Sequence, residues 1–256
     1  MLEMAIGFFI ALCIGLTGVG GGTLTVPVLV LFLGLPAPLA VGTSLVFVTL
    51  IKIVATPMYW ARQQVDLKAV KLLLLGGLPG VLLGSLVITN LKKSDLEPYV
   101  LALVGGTVTV MAAVSLWKSL SSSAPGPRKE RRGWLPWFAA PIGLEVGFSS
   151  AGAGALGSLL LMHSTTLTSA EIVGTDLMFG LGISGIGGLV HASASNVDFA
   201  LLMKMALGGI AGAVTGAWLG TRMPTRAMRL ALSVVLVCLG ASLAWKGAGT
   251  LLAMGR

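Results

Sequence analysis

The stretch GLTGVGGGTLTVP, Gly15 to Pro27, sets five glycines inside an otherwise apolar N-terminal segment. That segment runs from about residue 4 to 34, and about 30 residues at 1.5 Å each is some 45 Å. This is too long for one upright helix across a hydrocarbon core of roughly 30 Å, yet each side of the glycines is too short to cross alone. A broken helix or a re-entrant hairpin is therefore expected here.

The rest of the chain places the break in a membrane. Of 256 residues, 55% are hydrophobic and 10% charged, with a mean hydropathy of +0.96. A soluble domain of this size needs far more charge to cover its surface, so the chain reads as an integral membrane protein, with no segment left for a soluble catalytic domain. Its net charge of +8 comes from Lys and Arg at segment ends and in joints. That pattern fits positive-inside sorting and not nucleic-acid binding. Cys13 and Cys238 lie in apolar segments without CxxC spacing and are expected as small core residues. The opening MLEMAIGFFIALCIG lacks a basic leading region and a clear cleavage motif, so it is expected to stay as the first membrane segment.

A shift of 132 residues aligns Gly15–Thr89 with the second half without a gap, giving about twenty identities in 75 pairs. Gly15, Gly20 and Gly22 meet Gly147, Gly152 and Gly154; Val41-Gly42-Thr43 meets Val173-Gly174-Thr175; Val65-Asp66 meets Val197-Asp198. Each half then reads as four apolar segments, at 4–34, 39–60, 68–89 and 98–118, then 134–165, 172–190, 201–221 and 228–246. The expected fold is an all-α polytopic membrane protein of about eight apolar segments. Residues 1–120 form the first repeat, 121–133 (SSSAPGPRKERRG) a cytoplasmic linker, and 134–256 the second repeat. Charge counting divides the Lys and Arg eleven to five whether the halves are inverted or parallel. The length of the first segment favours an inverted repeat, because a re-entrant first segment leaves each half an odd number of crossings.

Non-helical backbone at membrane depth is tolerated only where it is buried in protein or lines a cavity. Two matched breaks, Gly18 to Thr23 and SSAGAG at Ser149 to Gly154, therefore point to a site where half-helix N-termini present amides to an anion. Gly20, Gly21, Gly22, Gly152 and Gly154 supply backbone there, and Thr17, Thr23, Ser149 and Ser150 supply hydroxyls. Val-Gly-Thr-Ser, with Thr43 and Ser44, and Val-Gly-Thr-Asp, with Thr175 and Asp176, either cap the following helices or complete the pocket. Lys52, two turns after Ser44, offers a positive charge, and Asp176 is either its partner or a proton-coupling group. Glu145 stands in the broken segment, and His163 and His191 read as interfacial. GGLPGVLLG (76–84) and GGIAGAVTG (208–216) read as close helix packing.

Enzymatic readings find little support: there is no HExxH, Walker loop or cysteine cluster, and nothing in the spacing supports a serine hydrolase built on Ser149 or Ser150 with His191. No cofactor is expected.

The run GLTGVGGGTLTVPVLVLFLGLPAPLAVGTSLVFV, with its glycine-rich break before Pro27, its second Pro-containing joint and its Gly-Thr-Ser helix start, resembles the signature of the TauE/SafE, or sulfite exporter, family. The likeness extends over the full chain. It implies a secondary transporter of the cell inner membrane that moves small sulfur-containing or organic anions, such as sulfite, sulfoacetate, taurine-related sulfonates or thiosulfate, usually outward. It places the site at Gly20, Gly21, Gly22, Thr23, Thr43 and Ser44. The second half departs from the pattern, with SSAGAG for GVGGG and Asp176 for the serine. The competing readings are an importer of such anions or of another solute, and a non-transporting scaffold. Coupling to a proton, to sodium or to membrane potential alone is left open, as is homo-oligomerisation.

Overall fold

A computed structural model describes residues 1–17, 21–90, 130–151, 153–220 and 237–242, together with isolated helical positions at 102, 105–106, 108–110, 113, 116 and 244–245. The apolar segments read at 98–118 and 228–246 thus fall largely outside the described residues. The described residues include the α-helices α1 (Leu2–Thr17), α2 (Gly21–Leu31), α3 (Ala37–Trp60), α4 (Leu67–Asn90), α5 (Leu135–Ser149), α6 (Ala153–Ser164), α7 (Ser169–Ser193) and α8 (Phe199–Gly220). The first apolar segment carries α1 and α2 on either side of residues 18–20, which lie outside the described residues, and its counterpart is broken between α5 and α6. At the second break Ser150 takes a left-handed conformation (φ 60°) and its amide donates to the Val146 carbonyl, which ends α5.

Four helices, α3, α4, α7 and α8, are long and apolar enough to cross a membrane. In α3 and α7 67% of the most apolar window is buried, against 39% in α4 and α8, so the first pair forms the interior and the second its flanks. Met203, Leu207, Ile210, Val214 and Trp218 stand exposed along one face of α8, and Leu75, Leu82 and Leu86 along α4. Meanwhile Ser44, Lys52, Thr56, Asp176, Ser184 and His191 are buried. Apolar groups outside and polar groups inside is the distribution that lipid selects, because a hydrocarbon solvent rewards no burial of leucine but penalises an exposed hydroxyl or charge.

Helix directions follow from the contacts. Lys52, Thr49, Val46 and Leu45 of α3 meet Gly180, Ser184, Gly188 and Gly187 of α7 respectively, so the two helices are antiparallel. Met4, Phe8 and Leu12 of α1 meet Gly208, Gly212 and Gly216 of α8, so these run parallel. Pro136, Ala140 and Leu144 of α5 meet Gly76, Gly80 and Gly84 of α4 in the same way. Each pair recurs when 132 is added to one number and subtracted from the other, as in 4 with 208 and 136 with 76. The glycines of 76–84 and 208–216 accordingly do what their spacing predicted: they let backbones touch, and a β-carbon on any of the six would overlap a carbonyl of the facing helix.

The loops repeat the correspondence. Gln63 and Ser195 share a φ of 56°. The Asp66 amide donates to the Thr175 hydroxyl at 2.9 Å, and the Asp198 amide to the Thr43 hydroxyl at 2.9 Å. Asp66 Oδ1 accepts from the Lys68 and Ala69 amides and Asp198 Oδ1 from the Leu201 amide, so each aspartate caps the helix it precedes. Asp66 also forms an ion pair, with Arg132 at 2.8 Å. The Arg131 amide donates to the Ser164 carbonyl at 2.9 Å, so the chain begins α5 and leaves α6 at the same end of the bundle. The α5–α6 unit is a hairpin.

Candidate functional site

The two broken segments touch. A β-carbon on Gly22, in the first turn of α2, would overlap the Ser150 carbonyl, so only glycine lets the start of α2 approach the α5–α6 break this closely. Gly21 lies beside Ile14 of α1 and Val48 of α3. Opposite them, the Ser44 and Ser150 hydroxyls are hydrogen-bonded at 3.0 Å across 106 residues of sequence. An interhelical bond of this kind contributes about 1 kcal/mol in a membrane protein, enough to hold the contact yet weak enough to exchange for a ligand. The Thr25 hydroxyl donates to the Gly21 carbonyl at 2.6 Å. The first four amides of α2 and of α6 have no acceptor within their own helices, and the positive ends of both helix dipoles lie at the breaks. Gly21, Gly22, Thr23, Ser44 and Ser150 are all buried.

Two turns along α3 from Ser44, Lys52 is fully buried. Its Nζ lies where a β-carbon on Gly180 would be, and it has no hydrogen-bond partner among the described residues. Asp176, one turn before Gly180 on α7, is also fully buried. Room for its Oδ1 comes from Gly157 of α6, whose β-carbon would occupy the same space. In the first half, Val48 and Thr25 stand where Gly180 and Gly157 stand in the second. The two glycines are thus local departures from the repeat, made where the second half must accommodate a charged side chain.

The remaining residues singled out from sequence divide. Ser149 donates to the Glu145 carboxylate and accepts from the Ala151 amide at 3.0 Å, which organises the α5–α6 break from within. Gly154 is buried in the first turn of α6. Thr43 and Thr175 do not join the cluster; their hydroxyls hold the Asp198 and Asp66 loops. Nor do they cap helices: α3 begins six residues before Thr43, after Pro36, and α7 is capped by Thr168 in a capping box with Glu171. Gly20, Gly152 and the Thr17 side chain lie outside the described residues.

His191 is buried, not interfacial, and its Nε2 bonds the Gly147 carbonyl at 3.2 Å. Because a carbonyl only accepts, that nitrogen carries the proton. Tyr59, 132 residues earlier, donates to the Gly15 carbonyl at 3.0 Å in the same position. Both side chains thus satisfy a carbonyl in the last turn before a break, a role that their ring chemistry permits but their sequence spacing does not announce. Cys13 is half-buried and Cys238 exposed, so neither is the core residue its apolar segment implied.

Comparison with known proteins agrees with this architecture. The family model described as Sulfite exporter TauE/SafE matches residues 3–243. The chain is similar to the "Probable membrane transporter protein YjnA" of Bacillus subtilis (strain 168), at 27% identity over 247 residues, covering 93% of this chain and 96% of that protein. It is also similar to the "Probable membrane transporter protein YunE" of the same organism, at 24% identity with 91% and 92% covered. A "Probable membrane transporter protein" of Xylella fastidiosa (strain Temecula1 / ATCC 700964) is 25% identical, with 96% and 95% covered. No solved structure matches the chain. With its apolar spans facing outward, its polar groups inside and a family match over nearly its whole length, the chain is a multi-pass membrane protein of the sulfite exporter TauE/SafE family.

Proposed function

We propose that this protein is a secondary transporter of small sulfur-containing or organic anions, working by alternating access between two oppositely directed halves in the cell inner membrane. The observation that carries the reading is the convergence of Gly21 and Gly22 at the start of α2 with Ser44 and Ser150, two turns from the buried Lys52. Backbone amides, hydroxyls and an ammonium are all donors, and a pyramidal or tetrahedral oxyanion presents only acceptors. A lysine without a hydrogen-bonded acceptor inside an apolar bundle is a costly arrangement that a bound anion relieves. The family description supports sulfur oxyanions as the class and export as the direction.

The test is flux. Purified full-length protein in proteoliposomes is expected to exchange internal for external anion with one or more of sulfite, thiosulfate, sulfoacetate and 2-hydroxyethanesulfonate, at least tenfold above protein-free vesicles. Absence of exchange for all four under every imposed gradient overturns the reading in favour of a scaffold or a transporter of another solute.

The antiparallel packing of α3 on α7, helices related by the 132-residue shift, supports halves inserted in opposite senses. Single cysteines at Gln63 and Ser195, introduced after removal of Cys13 and Cys238, are expected to react with impermeant maleimide from opposite sides of the membrane. Labelling of both from the same side means parallel halves.

A further inference from the structure

We propose that Asp176 is the protonation site through which anion movement is coupled to a proton, an inference that rests on the anion-transport reading above. Lys52 and Asp176 are both fully buried, on facing helices, and each occupies space left by a glycine, Gly180 and Gly157. Neither glycine stands in the first half of the chain at the matching position, so the room is made specifically for this pair.

The surroundings limit which group can take up a proton beside Lys52. Around α7 pack α3, α4, α5 and α6. The charged or titratable side chains on those elements are Lys52 and Tyr59 on α3, Lys68 and Lys71 on α4, Glu145 on α5 and His163 on α6, with Glu171 and His191 on α7 itself. Lys68, Lys71 and His163 are exposed, and Glu171 belongs to the capping box. Tyr59 and His191 each bond a carbonyl before a break, and Glu145 receives the Ser149 hydroxyl at the end of α5. Asp176 is the one fully buried acid among the described residues, and it stands one turn from the glycine that Lys52 packs on.

Charge balance supplies the mechanism. With Lys52 protonated and Asp176 ionised the interior is neutral. A monoanion drawn to Lys52 adds one negative charge in a medium that strongly disfavours net charge. Neutrality returns when the Asp176 carboxylate takes one proton from the open aqueous side, forming an O–H bond. On the opposite side the anion leaves, the O–H bond breaks, the proton passes to water, and the carboxylate again balances Lys52. Each cycle then carries one proton with one monoanion and no net charge. Membrane potential does not drive it, and the direction follows the combined anion and proton gradients: one pH unit balances about a tenfold anion ratio.

The probe is radiolabelled 2-hydroxyethanesulfonate, which stays ionised near neutral pH, so that any proton moved is carried by the protein. In proteoliposomes of the full-length protein, an acid-outside gradient of one pH unit is expected to drive about tenfold accumulation, with lumenal acidification of one proton per anion. A valinomycin-imposed potassium diffusion potential is expected to change neither. Asp176→Asn, which mimics the protonated carboxyl, is expected to lose the pH-driven accumulation at least tenfold. Accumulation driven by potential or by sodium but not by pH, or undiminished accumulation in D176N, overturns the coupling and leaves anion transport standing. The wild-type stoichiometry decides whatever the folding of the variant. No anion exchange at all overturns the transport reading and the coupling with it.

Discussion

Replacing Lys52 with methionine will reduce anion exchange at least about 100-fold, the largest effect expected of any single side chain here. Methionine keeps the length and apolar stem of lysine and removes only the ammonium, which is the one fully buried cation among the described residues. The variant also removes a positive charge from the interior that holds the fully buried Asp176, so it is expected to be less stable than wild type. Stability and transport are separated by the double variant K52M/D176N, in which the interior is again neutral. Thermal unfolding in detergent should return to within about 1–2 kcal/mol of wild type, while exchange stays lost. If the double variant recovers exchange together with stability, the lysine is a structural partner of Asp176 and not an anion ligand.

The second large effect concerns folding. Gly80→Leu and Gly212→Leu are each expected to destabilise by more than about 4 kcal/mol and to remove monodisperse protein from detergent extracts. At these two positions a β-carbon would overlap the Ala140 and Phe8 carbonyls, with the Leu144 and Leu12 amide nitrogens at 2.8 and 3.1 Å. Backbone cannot swing aside as a side-chain terminus can, so the helices must separate along their length. Gly185→Ala is the control: the nearest atom to its β-carbon would be the Thr49 Cγ2 at 3.8 Å, and the exchange is expected to be neutral or stabilising by up to about 1 kcal/mol. A well-behaved G80L or G212L protein would show that the α4–α5 and α1–α8 contacts are looser than described.

These two predictions draw on features of different legibility in the sequence. The glycines at 76–84 and 208–216 repeat every four residues, which puts them on one helix face, and close packing is the common use of such a face in a membrane. Lys52 was equally visible, since an ionisable residue within an apolar run is functional by default. Gly157 and Gly180 were not singled out, because among 36 glycines neither belongs to a motif. The available signal was their place against the repeat, where Val48 is matched by a glycine one turn after an aspartate and Thr25 by a glycine in the preceding apolar segment. Thr43 and Thr175 misled in the other direction. Their shared Val-Gly-Thr setting is real, but what it serves is a pair of hydrogen bonds to loops of the opposite half, at 109 and 155 residues' separation.

The sequence by itself determined the membrane class and the apolar stretches that become α3, α4, α7 and α8, because hydropathy and segment length are local quantities that a solvent of fixed thickness reads directly. It also placed the matching elements of the two halves 132 residues apart. The tertiary structure alone decided how those elements run and meet: α3 against α7 in opposite directions, α1 along α8, α5 along α4, and Ser44 bonded to Ser150. Charge counting divided the lysines and arginines eleven to five for either arrangement, since positive-inside sorting acts on segment ends and is blind to which helices touch. Contact between helices depends instead on where small residues let backbones approach and where buried polar groups find partners. Those are relations between residues distant in the chain, and only the packed structure brings them together.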